Sequence, residues 1–225
     1  MASTALVAVA GGSTYRRYAK ALMESAHEHF QPTERIATYI FEGEEHWPRG
    51  TMMRYHRLLE WLPYLSHMDF VYLIDADMLV VAAVGPEILP TNGGMTATKH
   101  PGFVGKPRAE LPYETRPESA AYLWPQEGDT YYCGGFIGGA RAAVAEFAET
   151  VCDIIDQDQA AGLVPIWHDE SAINRILALD PPEVELDPGY CYPDADGYYV
   201  QHVWRDSYQR RIVAIDKSPD ERQGR

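Results

Sequence analysis

Apolar positions along the first third of the chain alternate between the pattern of a buried strand and the pattern of a helix. The predicted elements, in chain order, are a strand at 5–10, a helix from Tyr15 to Phe30, a strand at 35–41, a helix at 52–65 and a strand at 70–74. The last of these, "FVYLI", is apolar throughout, which is typical of a strand covered on both faces. Alternation of strands and helices predicts a wound α/β sheet.

The rest of the chain changes character. Residues 91–140 are rich in Gly, Pro and Tyr and show little periodicity. Helical spacing returns between Val144 and Ile155 and again from Ser171 to Leu179. Because no internal repeat, low-complexity tract or linker separates these segments, we predict one domain over residues 1–225.

Composition and charge narrow the class of protein. Of the 225 residues 46% are hydrophobic, which is enough for one sizeable core. Three cysteines without a C-x-x-C pair favour a reducing, cytoplasmic location over a disulfide framework. We interpret the apolar start as a first buried strand rather than a signal peptide, and no run reaches the ~18 apolar residues of a membrane span. The net charge of -14 argues against nucleic-acid or anionic-membrane partners, but a metal could still admit an anionic substrate.

Two carboxylates interrupt the apolar stretch "VYLIDADMLVV" at residues 71–81. Asp75 and Asp77 follow a predicted buried strand, where α/β sheets bind ligands, and their spacing directs both side chains the same way. A hard cation such as Mn²⁺ or Mg²⁺ suits such a pair. A helix cap or a salt bridge would also explain it. A dehalogenase-type phosphatase is disfavoured, because that class has the motif after its first strand and Thr or Val where Leu79 stands.

Two further segments carry candidate chemistry. "YYCGGFIGGA", residues 131–140, lacks the G-K-[ST] of a phosphate-binding loop, so its glycines predict either a bend or close approach to a ligand. "PIWHDES", residues 165–171, precedes a predicted helix, and Asp169 or Ser171 is a plausible cap for it. The same segment would also make a sugar platform, with Trp167 as its flat face.

Five motifs occur in a fixed order along the chain, and the series is far more specific than any one of them. The motifs are D-A-D-M, H-P-G-F, Y-E-T-R-P-E-S-A-A-Y, E-G-D-T-Y-Y-C-G-G-F-I-G-G and W-H-D-E-S-A-I-N. The series resembles glycosyltransferase family 6, which includes the blood-group A and B transferases and the α-1,3-galactosyltransferases. The likeness runs from "ALVAVAGG" to the basic residues of the last segment. It implies a GT-A fold, an α/β Rossmann-like domain with a mixed, mainly parallel central sheet.

The resemblance also implies a reaction. N-acetylgalactosamine or galactose would move from a UDP-sugar to the 3-hydroxyl of an acceptor galactoside, forming an α-1,3 linkage with retention and with Mn²⁺ or Mg²⁺ as cofactor. The expected acceptor is a galactose-terminated glycan, with or without α-linked fucose. The segment "YCYPDADGYY", 190–199, departs from the family where acceptor contacts are expected. The alternative is a catalytically idle carbohydrate-binding protein on the same fold.

Roles for individual residues follow from the same resemblance. Asp75 and Asp77 would hold the metal, and Glu170 would act as the nucleophile or as a stabiliser of oxocarbenium charge. The donor-side residues implied are Ala10, Tyr15, Arg54, Asp75, Cys133, Gly134, Gly135, His168, Asp169, Lys217 and Arg222. The acceptor-side residues implied are His100, Trp167, Glu170 and Tyr192. Residues 216–225 would form a mobile lid over the diphosphate.

The choice of sugar is expected to depend on two positions of the glycine-rich segment. In animal members, Leu with Gly at the positions of Cys133 and Gly135 accompanies N-acetylgalactosamine, and Met with Ala accompanies galactose. Cys and Gly are both small, so the sequence predicts room for an acetamido group and a preference for UDP-N-acetylgalactosamine.

Overall fold

The computed structural model of the protein describes residues 1–43, 48–194 and 207–217. The strands are β1 (Ser3–Ala10), β2 (Arg35–Glu42), β3 (Phe70–Ile74), β4 (Met78–Val80), β5 (Met95–Lys99), β6 (Tyr132–Ala140), β7 (Val184–Leu186), β8 (Tyr192–Pro193) and β9 (Ile212–Ala214). The helices are α1 (Gly12–His29), α2 (Arg49–Met52), α3 (Arg54–Trp61), α4 (Arg141–Ala160) and α5 (Asp169–Leu179). Short 3₁₀ turns lie at Leu62–Leu65, Pro86–Ile88, Arg108–Glu110 and Pro188–Cys191.

A six-stranded mixed sheet in the order β2-β1-β3-β6-β5-β7 forms the centre of the molecule. The pairings of β1 with β2, β1 with β3 and β5 with β7 are parallel, and β6 runs antiparallel to both of its neighbours. This architecture confirms the α/β, GT-A-like fold. A second sheet, in the order β4-β9-β8, joins residues far apart in the chain.

The central sheet is covered on both faces, which explains the continuous apolar runs. In β1, Ala5 and Val7 pack into the core shared with α3, α4 and α5, whereas Leu6 and Ala8 face the core that contains α1. All four side chains are fully buried. A continuous run of apolar residues, rather than alternation of apolar and polar residues, therefore identifies β1 and β3 in the sequence.

Other elements differ from the sequence prediction. The predicted helix at 52–65 is α3 followed by a 3₁₀ turn, and Pro63 at the start of that turn cannot continue the backbone hydrogen bonding. The aperiodic segment 91–140 contains the two antiparallel strands β5 and β6, which periodicity missed. No helix in the described ranges is long and apolar enough to cross a membrane. The assignment of all 225 residues to a single domain remains a prediction.

Close packing against the neighbouring strand explains one of the glycines of β6, independently of any ligand. A Cβ on Gly138 would lie 2.5 Å from Tyr72 Cδ1 and closer still to the carbonyl oxygen of Val71, which belongs to the neighbouring strand β3. Backbone atoms of a central strand cannot move aside without breaking the ladder. The close contact between β3 and β6 therefore depends on this glycine.

We expect Gly138→Ala to lower the free energy of unfolding by about 3 kcal/mol, because the added methyl group overpacks the centre of the sheet. Gly93→Ala is the matched control: Gly93 has φ +82° with no atom within 4 Å of the added Cβ, so backbone strain of roughly 1 kcal/mol is the whole expected cost. Urea denaturation measures both. Equal losses in the two variants would contradict the packing argument.

Candidate active site

The two aspartates lie in the turn between β3 and β4. The backbone N–H of Asp75 donates to the carbonyl of Gly135 at 2.9 Å, which extends the β3–β6 ladder by one residue. The N–H of Met78 donates to the Asp75 carbonyl at 3.2 Å and closes the turn. Both aspartates are thus fixed at the end of a central strand.

A cavity of about 370 Å³ opens at this edge of the sheet. Its walls come from the ends of β1 and β3, the N-terminal parts of α1 and α3, and the first turn of α5. The predicted site residues that line it are Tyr15, Arg54, Asp75, Asp77, His100, Gly134, Trp167, His168, Asp169, Glu170 and Lys217. Most of the predicted site is therefore gathered around one space.

Four predicted residues within the described ranges are not part of that lining. Ala10 and Cys133 are buried. Gly135 lies beneath the cavity, with its Cβ direction toward Asp75 Oδ2 and Cys191. Tyr192 is 1% exposed in β8, where the Arg210 guanidinium lies 4.5 Å from its ring centre. Arg222 and the remainder of the predicted lid beyond residue 217 lie outside the described residues. The roles of Arg222 and of the four residues above remain predictions.

A buried arginine links the two sides of the cavity. Arg54, 8% exposed at the start of α3, forms ion pairs with Asp75 on one side and with Asp169 on the other. Burial alone would lower the pKa of Arg54, but the two carboxylates raise it, so the guanidinium stays charged. Asp169 is 1% exposed, and burial raises its pKa to about 6 despite the ion pair.

The two candidate metal ligands, Asp75 and Asp77, place like charges close together. Burial raises the pKa of Asp75, and the nearby Asp77 carboxylate raises it further. A divalent cation between the two carboxylates would offset this unfavourable charge. Within the described ranges no group of three or more His, Cys, Asp or Glu side chains surrounds one point. Asp75 and Asp77 would therefore supply two carboxylate ligands, and a cation there would need its other ligands from substrate and water.

Lys217, which follows β9, reaches Asp77. The N–H of Ile215 donates to the Asp77 carbonyl at 2.9 Å, and the Lys217 ammonium forms an ion pair with the Asp77 carboxylate. The ammonium also donates to the Tyr15 hydroxyl at 3.2 Å. Burial alone would lower the pKa of Lys217, whereas Asp77 raises it above its ordinary value.

Glu170 occupies the first turn of α5 at the opposite wall. Its Oε2 accepts from the Gly134 N–H at 3.3 Å, and its Oε1 lies 3.8 Å from His100 Nε2. His100 Nδ1 accepts from the Gly102 N–H, so in a neutral ring the proton is on Nε2 and faces Glu170. Burial raises the pKa of Glu170 to about 8, against the opposing effect of the Gly134 N–H.

The sugar-platform segment forms the rim. Trp167 is 49% exposed, which leaves a face of its ring available for stacking. His168 has φ 55° and ψ -129°, and burial lowers its pKa. The predicted caps Asp169 and Ser171 are wrong, because α5 begins at Asp169 and its N-cap is His168, without a side-chain cap bond. Ser171 Oγ instead accepts from the Trp167 N–H at 2.9 Å.

Sequence reasoning missed several contributors. Gly50 and Thr51 line the cavity from α2. Cys191 lies under Gly135, and its Sγ is 2.8 Å from the position that a Cβ there would take. No local signal identifies Cys191, since its proximity depends on the 3₁₀ turn Pro188–Cys191 packing against β6.

Comparison with known proteins agrees with this geometry. The model of glycosyltransferase family 6 matches residues 41–203, and the chain belongs to that family. It is 30% identical over 205 residues to human globoside α-1,3-N-acetylgalactosaminyltransferase 1, covering 80% of this chain and 58% of the relative. It is 31% identical over 204 residues to rat histo-blood group ABO system transferase 1, covering 79% and 58%. Human α-1,3-galactosyltransferase 2 is 32% identical over 167 residues, covering 72% and 46%. The chain thus spans 58% of the length of the first two relatives and 46% of the third.

The raised pKa of Glu170 predicts how the stability of the folded protein depends on pH. Folding favours its protonated form, so the destabilisation it causes is absent below the ordinary pKa of 4.5, grows as pH rises toward about 8, and is constant above that. We expect Glu170→Gln to match the parent near pH 4.5 and to exceed it by about 2 kcal/mol at pH 8.5, a discounted figure because 24% of the side chain is exposed.

Glu185→Gln is the control of opposite sign. Burial alone would raise the pKa of Glu185, but Lys99 and Tyr132 lower it, so removing its charge should cost stability at pH 8.5. Thermal melts of the metal-free protein across this pH range measure both variants. Parallel melting curves for the parent and Glu170→Gln would contradict the prediction.

Proposed function

We propose that the protein is a retaining hexosyltransferase that transfers N-acetylgalactosamine or galactose from a UDP-sugar to the 3-hydroxyl of an acceptor galactoside, in α-1,3 linkage and with a divalent metal. One observation carries the proposal: the aspartate pair after β3 and Glu170 on α5 line a single cavity. Arg54 joins these two walls through ion pairs with Asp75 and with Asp169, the residue before Glu170. Membership of glycosyltransferase family 6 supports the same reaction class.

The donor side of the proposal rests on charge. A diphosphate would meet the carboxylates of Asp75, Asp77, Asp169 and Glu170 around one cavity, and those charges repel it. Asp75 and Asp77 would hold Mn²⁺ or Mg²⁺, which would neutralise the charge on the UDP leaving group. Lys217 supplies a second positive charge at the same wall, beside the Tyr15 ring on which uracil would stack.

The reacting side of the proposal rests on Glu170. Either retaining route requires ionised Glu170, whereas burial raises its pKa to about 8. The Gly134 N–H, which donates to Oε2, opposes this effect, and His100 Nε2 lies 3.8 Å from Oε1. As a nucleophile Glu170 would attack the anomeric carbon on the face opposite UDP. In a front-face reaction it would stabilise positive charge on the ring. The exposed Trp167 would hold the acceptor sugar by stacking.

The names of the relatives favour neither sugar alone, since they include N-acetylgalactosaminyl- and galactosyltransferases. The test is incubation with each UDP-sugar, with and without Mn²⁺, in the presence of lactose or an α-fucosylated galactoside. Metal-stimulated release of UDP with formation of a longer glycan supports the proposal. Binding of sugar without turnover would favour the idle carbohydrate-binding protein, and phosphate release from phosphomonoesters would favour a phosphatase.

Changing the aspartates tests the metal. Asp75→Asn or Asp77→Asn should lower metal-stimulated turnover by about 100-fold or more, a loss like that of one electrostatic group at a reacting centre. Asp180→Asn, an exposed aspartate at the end of α5, is the control and should retain activity. UDP release at several Mn²⁺ concentrations measures the effect. Full activity of the parent in EDTA would refute metal dependence.

The donor prediction can be tested at Gly135. We expect kcat/KM to favour UDP-N-acetylgalactosamine over UDP-galactose by roughly 10–200-fold. This is the discrimination expected when a substrate lacks one group that would otherwise fill the pocket, here the acetamido group. Gly135→Ala should narrow the preference and also lower Tm, because the new methyl group collides with Cys191 Sγ. Adding Cys191→Ala should restore Tm. A higher kcat/KM for UDP-galactose in the parent would overturn the pocket argument.

A further inference from the structure

The turn that precedes α5 is held in an unfavourable backbone conformation. Among the described residues, His168 is the only one other than glycine with positive φ, at 55°. Its N–H donates to the Pro165 carbonyl at 3.0 Å, so the strain lies within the tight turn 165–168. Such a conformation is unfavourable and persists only where its surroundings fix it. The turn leads directly into Asp169 and Glu170.

A buried carboxylate outside the cavity fixes this turn. Glu114, 1% exposed, accepts from the Ile166 N–H at 2.9 Å and from Arg116 Nε and Nη2 at 2.9 and 2.7 Å. Arg116 Nη2 in turn donates to the Val164 carbonyl at 2.8 Å. Burial alone would raise the pKa of Glu114, but its hydrogen bonds to Arg116 and to the Ile166 N–H lower it, so it stays ionised. Glu114 and Arg116 therefore hold the backbone at two positions: Val164, just before the turn, and Ile166, within it.

We propose that Glu114 is a positioning residue for the active site: with Arg116 it holds the turn 165–168, and through that turn it orients Trp167, His168 and the first turn of α5. This inference rests on the proposed function. Glu114 does not line the cavity and would not touch substrate. Its effect reaches the chemistry because a displacement of about 1 Å in a reacting group can cost about 100-fold in rate.

The chain offers a matched control in Asp158. This carboxylate is also 1% exposed and accepts from Ser119 Oγ at 2.5 Å and from the Ala120 N–H at 2.6 Å, in the same segment as Glu114. Within the described part of the chain its side chain hydrogen-bonds to Ser119 and Ala120 and not to residues 164–168. Its backbone carbonyl accepts from the Leu163 N–H, a bond that a side-chain variant retains. Loss of Asp158 should therefore destabilise the protein without releasing the turn.

The experiment compares Glu114→Gln, Arg116→Lys and Asp158→Asn in the full chain. It measures Tm, kcat, acceptor KM, affinity for UDP with Mn²⁺, and hydrogen exchange of the backbone amides of 164–170. For Glu114→Gln we expect faster exchange at 164–168, a fall in kcat of about 10–100-fold, and unchanged affinity for UDP, whose binding groups lie on other elements. Arg116→Lys, at a partly exposed site that tolerates substitution, should show the same pattern more weakly. Asp158→Asn should lower Tm while kcat and local exchange stay near the parent values.

Two outcomes overturn the inference. One is unchanged kcat and exchange in Glu114→Gln. The other is a fall in kcat that follows Tm equally in Glu114→Gln and Asp158→Asn, which would mean ordinary destabilisation. If the parent itself transfers no sugar, the proposed function fails, and the exchange measurement still decides whether Glu114 holds the turn.

Discussion

The ion pairs of Arg54 are the interaction on which the candidate site depends. Asp169, at the start of α5, is withdrawn from water, and a buried carboxylate is costly unless a cation meets it. The Arg54 guanidinium meets Asp169 and also the partly exposed Asp75 at the end of β3, so it links the sheet to α5 and offsets part of their charge. The wall that carries Glu170 is aligned with the wall that carries the metal-ligand candidates because they share this single counter-ion.

Much of the fold could be predicted because burial on both faces leaves a simple pattern. β1 and β3 have apolar side chains toward two cores, and α1 and α4 have apolar stripes at helical spacing. β6 could not be predicted in this way, since a strand whose glycines allow close contact with β3 has no side-chain alternation to read. The short strands β4, β8 and β9 give too few residues for any pattern.

The candidate site was predicted unevenly for a related reason. Motifs located its members along the chain, and the cavity unites most of them. Their partners were invisible: nothing near Arg54 indicates Asp169, and nothing near Asp77 indicates Lys217. These pairs depend on long-range packing, and the contact between Cys191 and Gly135 is of the same kind. Resemblance identifies residues, whereas only the folded chain shows which charges and volumes compensate one another.

The pairing of β4 with β9 has a consequence for how the protein is made. Met78 pairs with Ala214, so the strand that follows the aspartates has no partner until more than a hundred further residues have been synthesised. Lys217 meets Asp77 only once that pairing has formed. While the chain is still on the ribosome, the central sheet can begin to assemble around β1 and β3, but the cavity lacks one wall. The wall that carries Lys217 is therefore added to the cavity only after the central strands that support the other walls have been made.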